Sequence, residues 1–144
     1  GMEIEAKSVN NAYGPKISNI TLTRAAGTVT EGGSSANEFD AIQFKKEGNG
    51  EYTNVVISGY TTSNTTLTAT AVRIQDKSTN DNQVTGGKIK MLNVKINDGT
   101  SQFAGVGTTF TVDFKGNYTT STTATGATLT AGAWAIVDGV SLIK

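Results

Sequence analysis

The pattern Asn-[Ile/Val]-x-[Ile/Leu]-[Thr/Ser/Asn] occurs three times: as Asn19-Ile20-Thr21-Leu22-Thr23, as Asn54-Val55-Val56-Ile57-Ser58 and as Asn93-Val94-Lys95-Ile96-Asn97. Between the copies stand two shorter runs, Ala41-Ile42-Gln43-Phe44 and Ala71-Val72-Arg73-Ile74. Two strand types that alternate, with corners of variable length, are what a parallel β-solenoid shows in sequence, because each turn buries its few inward residues only against its neighbours. Within the first copy Ile20 and Leu22 fall on one face and Asn19, Thr21 and Thr23 on the other, the period of a half-buried strand. An Asn recurring just before a strand can bond the equivalent backbone one turn away and so form a ladder. The alternative is a β-sandwich, since strings of this kind also arise in strands rich in Thr and Asn.

Composition supports strands and turns. Apolar residues make up 36% of the 144 positions. The remainder leans on Thr, Gly, Asn and Ser, which suit pleated surfaces and tight corners. One domain is expected over residues 1–144, with 1–16 as a lead-in or cap, 17–98 as coils and 99–144 as final coils or a cap. The leading Gly-Met reads as a tag remnant before a start Met. Twelve basic and twelve acidic side chains balance without a basic stripe, so nucleic acid is not an expected partner. Cys and His are both absent, which removes disulfides, thiolate nucleophiles, the Ser-His pair and the commonest metal ligand. No apolar run approaches a membrane span and no signal peptide is visible, so an exported parent would have lost its signal or carry it elsewhere.

Along the chain, Pro15 suits a strand start or corner, and residues 28–30 form a short strand-like run before a Gly/Ser loop. Gly48-Asn49-Gly50 reads as a corner between two faces, with Phe44, Val56 and Ile42 as core and Gln43, Lys45 and Tyr60 at the surface. Residues 61–70 form a Thr-rich excursion, 75–87 an Asn/Asp-rich loop, 118–130 the poorest candidate for packed structure, and 133–143 a closing apolar segment.

At "NITLTR", "YTNVVISGYTT" and "AVRIQD" the chain resembles the right-handed parallel β-helix of the pectate-lyase-like superfamily. It is similar to the later coils of large exported Bacteroidetes-type surface proteins. The resemblance covers residues 17–98 and implies a right-handed parallel β-helix of about five or six coils with an irregular C-terminal third. It also implies a secreted or cell-surface location. Lyases of that fold use a basic residue and calcium-binding carboxylates, and related hydrolases use clustered Asp. Asp76, Asp81, Asp98 and Asp113 lie in Asn/Gly-rich loops rather than at matching strand positions, so no catalytic residue is carried over.

The candidate ligand-binding residues are Gln43, Lys45, Tyr60 and Arg73, with Arg73 placed between Val72 and Ile74 on an outward-facing position, a basic face near Asp40 that could hold an acidic sugar. The bland reading is that exposed faces of such folds are polar anyway. The loop 76–82 offers oxygens for calcium but lacks EF-hand spacing, and a plain Asx-rich corner accounts for it. Trp134, Tyr60, Tyr52 and Tyr118 are possible sugar-stacking rings, with core packing the competing role. Asn19, Asn64 and Asn117 begin glycosylation-type triplets of the kind chance supplies here. No metal site and no cofactor are expected. The expectation is a non-catalytic structural or carbohydrate-binding module of an exported bacterial surface protein. It would contact a polysaccharide or cell-surface glycan, with flanking domains or self-association at the solenoid ends. The alternatives are a polysaccharide lyase- or hydrolase-like fragment and an oligomeric adhesin or phage-fibre β module.

Overall fold

The three Asn residues of the repeat all adopt left-handed backbone, with φ of 59° at Asn19, 57° at Asn54 and 61° at Asn93. Asn tolerates this region because its short amide bonds locally. One such residue inside an extended run interrupts the in–out alternation, so a strand bends without ending. A computed structural model describes residues 1–24, 40–61, 70–98 and 110–128, with strand backbones for 101–105, 136–137 and 140–141. The bent strands are β2 (Lys16–Thr23), β4 (Gly50–Ser58) and β6 (Ile89–Ile96). They pair in parallel with Ile17, Tyr52 and Met91 in one column, Ile20, Val55 and Val94 in the next, and Leu22, Ile57 and Ile96 in a third. A short strand, β8 (Tyr118–Thr120), completes that sheet in the order β2-β4-β6-β8.

The shorter runs build a second parallel sheet. Its strands are β1 (Met2–Glu5), β3 (Ile42–Lys45), β5 (Thr70–Ile74) and β7 (Ser101–Gly105), in that order. Met2 and Ile4 lie beside Ile42 and Phe44, which lie beside Val72 and Ile74. Residues of both sheets share one apolar cluster, and the Phe44 and Tyr52 rings meet edge to face at 5.5 Å across it. Each such side chain contributes roughly 1.5–3 kcal/mol by leaving water. Burial pushes the phenol of Tyr52 up to about 12.

Between β5 and β6 the chain turns helical. Asp76 caps a one-turn helix, α1 (Lys77–Thr79), that runs into a π-helical turn over Asn80–Val84. The corner after β3 docks on this segment: Lys46 N–H donates to Asp76 Oδ2 at 2.8 Å and Glu47 N–H to Thr79 Oγ1 at 2.9 Å. Gly48 sits so close to β1 that a methyl there would run into the carbonyl of Ile4.

These findings correct the expected all-β solenoid of five or six coils. The described strands form two four-stranded parallel sheets, and no closed coil is traced among the described residues. A helical segment replaces the expected Asn/Asp loop, and the last two strands, β9 (Ile136–Val137) and β10 (Val140–Ser141), pair antiparallel. The chain is mixed in character, with two small parallel sheets and a short helix. The sandwich alternative falls as well, because every pairing within the two larger sheets is parallel. The lead-in contains β1, and the stretch that promised least packing supplies β8. Residues 28–30, 62–69 and Trp134 lie outside the described residues. Among the described residues no helix is long and apolar enough to cross a membrane.

Beyond β8 the chain folds back over the outer face of the β2-β4-β6-β8 sheet as a strap. Ser121 N–H still continues the β6–β8 pairing, donating to Val94 O at 2.8 Å, and Thr125 N–H then donates to Asn54 Oδ1 at 2.9 Å. Ala127 N–H donates to Thr21 Oγ1 at 2.9 Å. Gly126, at φ 67°, lies where a methyl would strike Thr21 and Val56. Val56 is therefore buried from outside, under the strap, while Val55 and Ile57 take the interior places.

Asn54 holds three things at once: the bend, the strap and, through Nδ2 to Asn19 Oδ1 at 2.7 Å, its neighbour in the ladder. Asn54→Ala is expected to cost about 2–3 kcal/mol, combining left-handed strain with lost hydrogen bonds. Asn54→Gly should recover only the backbone part. Urea unfolding of the two variants checks this, and equal losses would contradict it.

Candidate functional site

The position three residues before each repeat Asn is charged: Lys16, Glu51 and Lys90. Parallel register places these side by side at the start of β2, β4 and β6. Glu51 Oε2 lies 3.9 Å from Lys16 Nζ and 3.4 Å from Lys90 Nζ. Lys88, just before β6, reaches Asn11 O at 3.3 Å, and the same carbonyl accepts from Asn49 Nδ2 at 3.0 Å. The segment leading to Pro15 is thereby fixed as one wall of a groove of about 240 Å³.

The groove's lining includes Gly14, Gly50 and Gly87, its rim the lysines and Glu51. Space is open beside Gly87, where a methyl would meet nothing nearer than Asn117 Nδ2 at 3.5 Å. Gly50, at φ 141°, instead lies against Pro15 O and the Tyr52 ring. Three lysines against one carboxylate leave a local charge of +2. The result is a shallow cleft with little side-chain bulk on its floor, cations on its edge and one acceptor between them. Comparison with known protein families, curated proteins and solved structures finds no match for this chain.

The four residues expected to bind ligand do not form one site. Arg73 is 2% exposed, not outward-facing in solvent, and its Nε and Nη2 grip Asp40 at 2.6 and 3.0 Å. Gln43 is its register neighbour and donates to Gln75 Oε1 at 2.8 Å. Lys45 is drawn to Glu3 at 2.9 Å and Glu5 at 3.7 Å. Tyr60 is buried rather than at the surface, with the Arg24 guanidinium 5.9 Å from its ring centre. Of the other rings, Tyr52 is interior and Tyr118 half-buried against Phe114.

The loop acids are also engaged. The Asp76 carboxylate accepts from the backbone of Lys46 and Thr79 and from the Ser78 and Thr79 hydroxyls. Burial raises its pKa, but these donors outweigh burial and hold it below the usual range. Asp81 pairs with Lys77, Asp113 with Lys115, and Asp98 accepts from Gly59 N–H. The row of Lys16, Glu51 and Lys90 escaped the sequence reading, although the fixed offset from the repeat Asn was its signal.

Proposed function

We propose that this chain is a non-catalytic binding module that takes an acidic carbohydrate in the groove rimmed by Lys16, Lys88 and Lys90. The observation that carries the reading is the lysine row beside an open glycine. A sugar ring can lie flat where Gly87 leaves room, its carboxylate can bridge Lys88 and Lys90, and a hydroxyl can donate to Glu51. Charge-assisted hydrogen bonds of this kind are roughly twice as strong as neutral ones. The loop acids Asp76, Asp81, Asp98 and Asp113 are tied to a helix cap, ion pairs and a backbone N–H, which supports binding over turnover.

Titration calorimetry with an oligogalacturonate is the test. Binding is expected to weaken at least tenfold in the Lys88→Ala, Lys90→Ala double variant, corresponding to about 1.4 kcal/mol. It should also weaken as ionic strength rises, because the rim is open to solvent. A neutral oligosaccharide that binds equally well, or an affinity indifferent to the two lysines, would remove the proposal.

A further inference from the structure

The large apolar side chains exposed among the described residues all belong to one short stretch: Val9 at 76%, Tyr13 at 87% and Ile17 at 38%. This stretch borders β2, whose pairing among the described residues is with β4 alone. Eight residues of strand edge thus lie beside an apolar patch, a combination that recruits another strand.

The side-chain ladder distinguishes this edge from the opposite one. Asn54 Nδ2 donates to Asn19 Oδ1, while the Asn19 amide nitrogen has no partner among the described residues. At the other end the bond is of a different kind, from the Asn93 backbone N–H to Thr119 Oγ1 at 2.9 Å. β8 is three residues long and carries no Asn at this level. A second copy offering β8 would cover little of β2 and leave Asn19 unanswered. A second copy offering its own β2 matches the edge in length and presents an Asn amide to an Asn amide.

Charge also favours like meeting like. After Lys16, β2 carries no charged residue, and on β1 both Glu3 and Glu5 are neutralised by Lys45 and Lys46. Antiparallel pairing sets the two copies' Lys16 side chains at opposite ends of the paired strands, so these cations are kept apart.

We infer that this chain forms a two-fold dimer through β2, strand beside strand and antiparallel, with Val9, Tyr13 and Ile17 packed against their counterparts. The contact is isologous, so it closes at two subunits and does not propagate. The carbohydrate groove adjoins this contact, since its lining includes Gly14, Pro15 and Lys16, but the dimer is built from β2 and its apolar residues and requires no ligand there.

Sedimentation velocity over rising concentration is the first test: the intact chain is expected to shift from monomer to dimer as concentration approaches about 1 mM. Tyr13→Ser and Ile17→Lys, both at exposed positions, should each weaken the dimer at least tenfold while leaving the circular dichroism spectrum unchanged. The natural absence of cysteine makes directed crosslinking clean. Ser18→Cys should give a crosslinked dimer with a short bismaleimide, whereas a mixture with Thr122→Cys should give no mixed product. A chain monomeric throughout, a dimer indifferent to Tyr13 and Ile17, or a mixed Ser18–Thr122 crosslink would each overturn the inference.

Discussion

Asp40→Ala is expected to lower stability by roughly 3–5 kcal/mol, the cost of taking the carboxylate out of a buried ion pair. Asp40 accepts from Arg73 Nε and Nη2, from Thr70 N–H at 2.9 Å and from Thr70 Oγ1 at 2.8 Å. It stands just ahead of β3 and ties the first residue of β5 to that point, where Ala41 N–H also meets Thr70 O. Removing the carboxylate takes the acid from beside a guanidinium that is 2% exposed and releases the start of β5 together with it. A typical domain holds about 5–15 kcal/mol in all, so thermal unfolding should shift by many degrees. The double change Asp40→Leu, Arg73→Leu should recover much of the loss, because apolar replacement of a buried pair is often neutral. A loss below about 1 kcal/mol, the size seen for exposed pairs, would refute this account.

Glu47→Ala should cost about 3 kcal/mol, since several buried donors lose a charged acceptor together. Glu47 is 3% exposed, and its carboxylate accepts from Asn82 Nδ2 at 2.8 Å, Gln83 Nε2 at 2.7 Å and Asn10 N–H at 3.2 Å. Burial raises its pKa, but the amides, the Ser78 hydroxyl and the Asn10 N–H outweigh that effect and hold it below the usual glutamate value. Glu47 and Lys46 both occupy left-handed backbone, at φ 66° and 49°, so this network also fixes a strained corner. As pH falls, the unfolded chain takes up the glutamate proton first. The contribution is whole above about 4.3 and is lost as pH drops toward the folded value. Denaturant midpoints measured from neutral pH into acid should therefore fall less steeply in Glu47→Gln than in the parent chain. Parallel curves for the two would show that Glu47 does not supply the dependence.

The strand columns were open to sequence reading because they repeat. The Asn motif marks its three strands, and the inward apolar residues follow from one bend per copy. What the sequence concealed depends on partners far along the chain. Arg73 looks outward-facing until Asp40, 33 residues earlier, is seen to reach it. Val56 looks like core, and is buried only because Gly126 passes over it from outside. Asp76 as a helix cap was obscured by an Asn/Asp-rich context that suggests a loop, and three residues of helix leave no periodicity to detect. β8 was hidden because Tyr118-Thr119-Thr120 is too short to alternate and borrows its place from β6. The lysine groove was partly legible, since the charged position has a fixed place in every copy. Its depth was not, because a shared carbonyl at Asn11 builds the wall.

The strap also governs how the sheet can come apart. In a stack whose strands touch only their neighbours, the end strand can detach while the rest persists. Here Ala127 is bonded to Thr21 across 106 residues of sequence and Thr125 to Asn54 across 71. β2 is consequently locked down by chain that belongs to the far end of the same sheet. Peeling from either side must first break the strap, which joins the first and last strands into one cooperative unit. Contacts of such long sequence separation are slow to close, so the lock is set after the strands it crosses have already paired.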